Sequence, residues 1–309
     1  MNTLGGFVAI LLWSATFALA RSLSEQIGAF TAAAVVYLTG GFFSLLALWL
    51  RKSRGDWAWP SRRYLLGCGF LFTFYSAAIY LAVGLAADRT QVLEIALINY
   101  LWPAATILLS LPLLGNRGSL LLLPGTLIAV IGVALVMMHG TELSGRMFID
   151  RLGSNPAAYS LAFAAAIAWA LYSNLARRWS APGSHGAVEL FIPITGLTLL
   201  LMRFLRGETT HWTGLAIGEV AALGIITVLA YVLWETAMRR GNLLLVATGS
   251  YFTPLLSTLV SCLYLKVTPG TRLWAGCVVL IAGSLLSWRS VSPPKFKAPA
   301  ATGSSGPAA

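Results

Sequence analysis

Ten apolar runs follow one another along the chain with only short polar breaks, at residues 4–20, 30–50, 64–87, 91–114, 119–138, 156–176, 186–202, 219–238, 243–265 and 272–288. A helix rises about 1.5 Å per residue, so about 20 apolar residues cross a hydrocarbon core of roughly 30 Å, and each run predicts one membrane-spanning helix. The seventh run carries Glu189 and Pro193 near its start, which a span tolerates when neighbouring helices satisfy the backbone. The longest pieces outside the runs are 51–63, 139–155 and the tail after Arg289, too short for a separate catalytic or regulatory domain. The tail, with Pro293, Pro294, Pro299 and Pro307 among small residues, is expected to be disordered. Ala18-Leu19-Ala20 has the small residues of a signal-peptide cleavage site, but Met1-Asn2-Thr3 lacks the basic cluster such peptides carry. The same local pattern also recurs deep in the chain, so the first run is expected to be a helix of the folded protein.

The runs are written twice. Leu19-Ala20-Arg21 returns 156 residues later as Leu175-Ala176-Arg177, and Trp13 returns at the same offset as Trp169. From Tyr80 to Val136, an offset of 151 gives fourteen ungapped identities in 57 positions, where composition alone gives roughly five. The matches include Tyr80/Tyr231, Arg89/Arg240, Tyr100/Tyr251, Pro103/Pro254, Gly125/Gly276 and Gly132/Gly283. They divide the chain into a first repeat at 1–138, a connecting loop at 139–155, a second repeat at 156–289 and the tail at 290–309. Five spans per copy is an odd number, so the second copy enters the membrane from the opposite side. The expected fold is an all-α integral membrane protein, with ten transmembrane helices in a five-plus-five inverted repeat. Each half can then adopt the other's conformation, which supplies outward-open and inward-open states around a site near the midplane.

Composition agrees with a bilayer as solvent: 58% hydrophobic residues, 10% charged residues and a mean hydropathy of +0.79 leave too few polar side chains to wet a soluble globule of 309 residues. The net charge of +11 sits mainly in loops and at run ends, where it meets anionic headgroups. No basic stripe is interleaved with exposed aromatics, so nucleic acid is not expected as a partner. An even number of spans puts both termini on one side, together with the loops after helices 2, 4, 6 and 8, and that side holds thirteen Lys and Arg against eight. Both termini are therefore expected to be cytoplasmic, with Arg51, Lys52, Arg54, Arg62 and Arg63 supplying most of the asymmetry.

Several chemistries are disfavoured. Cys68, Cys262 and Cys277 are odd in number and lie inside apolar runs, so no disulfide framework is expected. His139, His185 and His211 lack the helical spacing of a metal site, so neither a metal nor another cofactor is expected. The runs hold no cluster suited to acid–base or nucleophilic work, so no catalytic residues and no enzyme are expected. All ten Asp and Glu residues fall in loops or within about a turn of a run's end, which places no carboxylate at mid-membrane. Glu94 and Glu235 come closest, each within reach of interfacial water. Proton-coupled carriers usually keep an ionisable group deep in the bundle, so a facilitative carrier or exchanger is expected. None of the 21 Lys and Arg residues lies in mid-run, which argues against phosphate-bearing substrates such as nucleotide sugars.

The runs do contain aromatic and neutral polar residues at paired positions. Asn99-Tyr100-Leu101-Trp102-Pro103 and Ser250-Tyr251-Phe252-Thr253-Pro254 are repeat images. Pro103 and Pro254 cannot donate to the carbonyls of Asn99 and Ser250, so both positions predict helix kinks with freed carbonyls, which in a bilayer need a cavity or another partner. Packing alone also accounts for such kinks. Trp13, Trp102 and Trp169 lie well inside their runs, away from the ends where Trp57, Trp59 and Trp288 fall. An interior Trp either packs or lines a cavity, where its face stacks on a ligand and its N–H seeks a partner. The pairing of Trp13 with Trp169 and of Tyr80 with Tyr231 favours a lining. Tyr172 and Asn174 add polar groups beside Trp169. The expected substrate site is an uncharged pocket between the halves, walled by Trp13, Tyr80, Trp102, Trp169 and Tyr251, with Asn99 and Ser250 holding a polar end.

Taken together, the Trp…Leu-Ala-Arg pattern of runs 1 and 6, the Tyr-x-x-Pro of runs 4 and 9 and the Gly-x6-Gly of runs 5 and 10 resemble the drug/metabolite transporter superfamily, EamA type, over nearly the whole chain to Trp288. The segments Asn99–Pro103 and Trp169–Asn174 are similar to the aromatic amino acid exporter branch, the YddG-like proteins of bacterial inner membranes. That resemblance implies export of aromatic and other neutral amino acids by alternating access, by one polypeptide acting as a monomer in the bilayer. It also implies a departure from the small multidrug-resistance relatives, whose first helix carries an embedded glutamate; here that helix offers only Ser14 and Thr16. A carrier of another small metabolite and, more remotely, a membrane-embedded enzyme remain as alternatives.

Overall fold

The computed structural model describes residues 2–53, 59–87, 89–137, 153–180, 185–265 and 271–292. His139, nearly all of the 139–155 loop, the tail beyond residue 292 and the side chain of Cys262 lie outside the described residues. The helices are α1 (Asn2–Ile27), α2 (Ala29–Ser53), α3 (Gly69–Gly84, entered through a π turn at Tyr64–Cys68), α4 (Arg89–Asn99), α5 (Trp102–Leu114) and α6 (Leu122–Met137). They continue as α7 (Pro156–Arg178), α8 (Val188–Arg206), α9 (Gly214–Arg240), α10 (Leu243–Gly249), a 3-10 turn at Ser250–Phe252, α11 (Thr253–Leu265) and α12 (Thr271–Arg289). Six stretches among the described residues are long and apolar enough to cross a membrane: Ala29–Ser53, Tyr64–Gly84, Glu94–Leu114, Pro156–Arg178, Val188–Leu205 and Gly214–Arg240. Four shorter apolar helices, Asn2–Ser14, Leu122–Leu135, Leu243–Ser257 and Trp274–Arg289, accompany them. The protein is an all-α multi-pass membrane protein.

The helix ends follow local chemistry. Asn155, Thr213 and Asn242 accept the Ala158, Ala216 and Leu245 N–H groups at 3.3, 3.0 and 3.1 Å, which caps α7, α9 and α10. Gly28, at φ 87°, turns the chain between α1 and α2, a left-handed conformation that costs glycine little. Large apolar side chains such as Phe42, Trp49, Leu66, Phe70, Leu197 and Phe204 are exposed, as lipid-facing positions should be.

The most extensive helix pairings join α6 to α12, α2 to α8, α1 to α9 and α3 to α7. Glycines permit the two closest seams. A Cβ on Gly132 would lie 2.4 Å from the Leu280 nitrogen, and one on Gly283 would lie 2.2 Å from the Ala129 nitrogen. Between α2 and α8, a Cβ on Gly41 would meet Pro193 at 2.7 Å and one on Gly196 would meet the Leu38 nitrogen at 2.9 Å. Small residues bring backbones close where dispersion, rather than water, holds helices together.

Candidate substrate site

Two helix breaks lie inside the apolar runs. α4 stops at Asn99 and α5 starts at Trp102; α10 stops at Gly249 and α11 starts at Thr253 after the 3-10 turn. Pro103 and Pro254 occupy the second position of α5 and α11, in the first turn, where no intrahelical N–H is required.

Around the first break an aromatic cluster fills the core. α1 supplies Trp13, α3 supplies Phe72, Tyr75 and Tyr80, α5 supplies Trp102, α7 supplies Trp169 and Tyr172, and α9 supplies Tyr231 and Trp234. The Trp169 ring centroid lies 5.9 Å from Trp13, 6.3 Å from Trp102, 4.7 Å from Tyr75 and 5.9 Å from Trp234. Trp234 lies 5.2 Å from Trp13 and 5.3 Å from Trp102. Most of these are edge-on or tilted contacts, the arrangement favoured by ring quadrupoles. Tyr37 of α2 closes one side, its hydroxyl 2.5 Å from that of Tyr231 and 3.2 Å from Ser76 Oγ. The buried Trp234 Nε1, Tyr172 hydroxyl and Asn99 Oδ1 have no protein hydrogen-bond partner. Buried polar atoms of this kind are costly unless another molecule pairs with them.

Of the residues expected to form the site, Trp13, Tyr80, Trp102 and Trp169 come together in this cluster. Asn99 ends α4 one helical turn before Trp102. Tyr251 does not join them: it is fully buried in a second cluster with Ala104, Ile107, Leu255 and Leu280. Ser250 is also fully buried, its hydroxyl donating to the Ala247 carbonyl at 2.5 Å. The freed carbonyl expected at Ser250 is absent, because the 3-10 turn lets the Thr253 N–H donate to it. Trp234 was not foreseen. It stands three residues from Tyr231, hence on nearly the same helix face, and that spacing was the available signal.

The acids also differ from expectation. Glu94 and Glu235, placed by their positions within reach of interfacial water, are only 1% and 3% exposed. Facing helices take the place of water. Tyr159 donates to Glu94, while Tyr64 and the Ala187 N–H donate to Glu235, the latter at 3.2 Å. Glu189 pairs with Arg51 at 2.6 Å, and Glu219 accepts from Gln26 at 3.0 Å. Among the described residues no group of three or more His, Cys, Asp or Glu could hold a metal ion.

The model of the EamA-like transporter family matches residues 2–138 and again 156–289. The chain belongs to the EamA-like transporter family. It is a transporter of the drug/metabolite superfamily, not an enzyme. Three relatives named aromatic amino acid exporter YddG align with it: from Salmonella typhimurium, 34% identical over 287 residues; from Escherichia coli, 32% over 288; and from Ancylobacter novellus, 30% over 293. The alignments cover 92–93% of this chain and 96% of each relative. A solved crystal structure superposes with a TM-score of 0.75 at 28% identity, covering 93% of this chain and 96% of its own.

Proposed function

We propose that this protein exports aromatic and other neutral amino acids from the cytoplasm by alternating access. The observation that carries the proposal is the uncharged aromatic cluster formed by Trp13, Tyr80 and Trp102 of one half with Trp169 and Trp234 of the other. Indole faces stack on an aromatic or apolar side chain, and the orphaned Trp234 N–H and Asn99 Oδ1 offer a donor for a carboxylate and an acceptor for an ammonium. The relatives' names point to the same cargo. Ring centroids about the Trp residues lie 4.7–6.3 Å apart, so the cluster touches itself, and admitting substrate requires the rings to part. Ser250 and Tyr251 line the site only in states where the second break, the 3-10 turn at Ser250–Phe252, rearranges.

The movement follows from a five-plus-five inverted repeat of ten transmembrane helices, with its halves at 1–138 and 156–289. Its seams exchange under a two-fold operation. Gly132 meets Leu280 while Gly283 meets Ala129, and each residue of the second contact is the repeat mate of one in the first, at offset 151. Gly41 against Pro193 and Gly196 against Leu38 exchange in the same way at offset 155. Such seams let one half take the other's position. The protein sits in the bacterial inner membrane with both termini cytoplasmic, a reading supported by the excess of Lys and Arg on that side, and works as a single polypeptide.

Counterflow in proteoliposomes tests the proposal. Vesicles preloaded with unlabelled tryptophan, phenylalanine or threonine should take up labelled amino acid without a proton gradient, and Trp102→Ala or Trp169→Ala should reduce that uptake. Preload-independent uptake, or transport unaltered for every substrate in both variants, refutes the assignment. Failure of all amino acids with folded protein moves the reading to a different metabolite.

A further inference from the structure

A cavity of about 370 Å³ opens at the bilayer-facing surface between α1, α10, the 3-10 turn and α12, walled by Phe7, Leu11, Phe252, Leu256, Leu285 and Trp288. Its size falls within the roughly 300–1,000 Å³ of small-molecule sites. Leu11, Leu285 and Trp288 are 55%, 48% and 38% exposed, so the rim faces the membrane rather than the aromatic core. Apart from the Trp288 indole at the rim, the polar side chains among its described lining residues are two hydroxyls, of Thr248 and Ser284. They are 6% and 1% exposed, and Thr248 Oγ1 and Ser284 Oγ have no hydrogen-bond partner. Among the described residues, Thr253 Oγ1 is the one other Ser or Thr hydroxyl buried without a partner. The hydroxyls of Ser14, Ser24, Thr106, Ser173 and Thr236 each donate to the carbonyl four residues back, the usual resolution for a hydroxyl in a membrane helix.

Depth identifies the occupant. The starts of α1 and α10 are tied together by the Asn242 N–H, which donates to Thr3 Oγ1 at 3.0 Å. Phe7 and Thr248 each follow their helix start by five residues, and Ser284 precedes the end of α12 by five. At a rise of about 1.5 Å per residue the hydroxyls lie about 7–8 Å below the helix ends, near the boundary where headgroup gives way to hydrocarbon. Trp288 stands at the rim as interfacial tryptophans do, followed by the exposed Arg289, a cation at phosphate height. A glycerophospholipid presents matching chemistry: an acyl chain for the apolar wall, ester carbonyls to accept from hydroxyls, and a phosphate above. A zwitterionic amino acid does not match, because two hydroxyls cannot replace the hydration of an ammonium and a carboxylate.

We infer that this cavity is a phospholipid site, in which one acyl chain fills the space between α1 and α12 and an ester carbonyl accepts from Thr248 or Ser284. The bound chain braces the 3-10 turn at Ser250–Phe252 from outside.

A diacyl phospholipid carrying a photoactivatable group in one acyl chain, added to the purified full-length protein in detergent, tests the site by peptide mapping. The expected result is labelling concentrated on peptides containing Leu11, Phe252 or Leu285, competed by unlabelled phospholipid and not by tryptophan. Thr248→Val with Ser284→Ala should weaken competition about tenfold, the effect of losing one or two hydrogen bonds. Leu285→Trp, which fills the cavity and leaves the hydroxyls, should abolish the focused labelling. Even labelling around the whole apolar belt, unchanged by either variant with monodisperse protein, overturns the inference. Displacement of the label by tryptophan overturns it too, by assigning the cavity to an amino acid.

Discussion

Adding one methyl group at the α6–α12 seam tests both its packing and the proposed two-fold. A Cβ at Gly132 would lie 2.4 Å from the Leu280 nitrogen and 2.5 Å from its Cα; one at Gly283 would lie 2.2 Å from the Ala129 nitrogen and 2.7 Å from its Cα. Ordinary contact begins near 3.4 Å, so either Gly→Ala substitution must part the helices by about 1 Å. A gap of that size forfeits roughly a quarter to a half of the dispersion at each neighbouring atom pair, and each pair holds about 0.1–0.2 kcal/mol. Over the few tens of pairs in a seam the loss is about 1–3 kcal/mol, in the range measured for overpacked cores. No hydrophobic transfer term offsets it, because lipid is as apolar as the partner helix. Each variant should lower the apparent Tm in detergent by roughly 2–8 °C at a fixed scan rate, and the two should agree within about 1 kcal/mol because they crowd repeat-related backbones. A Tm within about 1 °C of the parent for both variants refutes the packing argument; a large loss in one alone refutes the two-fold.

Trp234→Phe keeps an aromatic ring and deletes an N–H that no protein group uses, so stability should hold while apparent affinity for tryptophan falls several-fold in counterflow; unaltered transport removes Trp234 as a carboxylate donor. Glu235→Ala strands the Tyr64 hydroxyl and the Ala187 N–H and should cost about 2–4 kcal/mol, whereas Glu235→Gln keeps an acceptor oxygen and should recover much of it in the same melt. Equal losses in the two variants would show that charge, not hydrogen bonding, matters there. Arg51→Ala leaves the Glu189 carboxylate, at 3% exposure, without its partner; with Arg51 itself 43% exposed, the cost should be about 1–2 kcal/mol. That cost should shrink in a Glu189→Gln background, and additivity of the two changes would rule out the pairing.

The all-α membrane character was legible because a bilayer imposes length: apolar runs of about 20 residues leave a helix as the simplest way to satisfy the backbone, and six such stretches appear among the described residues. Part of the aromatic cluster was legible for a related reason, since Trp13 and Trp169 are aromatic in mid-run and match at offset 156. Trp234 was overlooked because its repeat mate is Val83, so a search for paired aromatics passes over it. The buried glutamates were misjudged because position along a span gives depth and not direction. Glu235 turns toward Tyr64 and the start of α8, partners 171 and 48 residues away in the chain. Ser250 failed for a local reason, as a 3-10 turn moves the hydrogen bond by one residue and occupies the carbonyl that an α-helix broken by proline leaves open.

These failures share a pattern that bears on mechanism. Where repeat mates meet at the seams, as Gly132 and Gly283 do, the geometry repeats; at the centre Trp13/Trp169 and Tyr80/Tyr231 match, while other mates differ. Trp102 corresponds to Thr253, Asn99 to Ser250, and Trp234 to Val83. The proposed alternating-access cycle needs a scaffold whose halves can exchange roles, and close-packed glycine seams are suited to it. Its cargo has no such symmetry, because an amino acid presents an ammonium at one place, a carboxylate at another and a side chain at a third. A lining built from identical halves would offer each end of the substrate the same groups and could not orient it. The divergence of these three mates, beside the matched Trp13/Trp169 and Tyr80/Tyr231 walls, is therefore the feature an amino acid site on the proposed two-fold scaffold requires, and Trp234 with Asn99, each carrying an unpaired polar atom of opposite character, is where that orientation should be set.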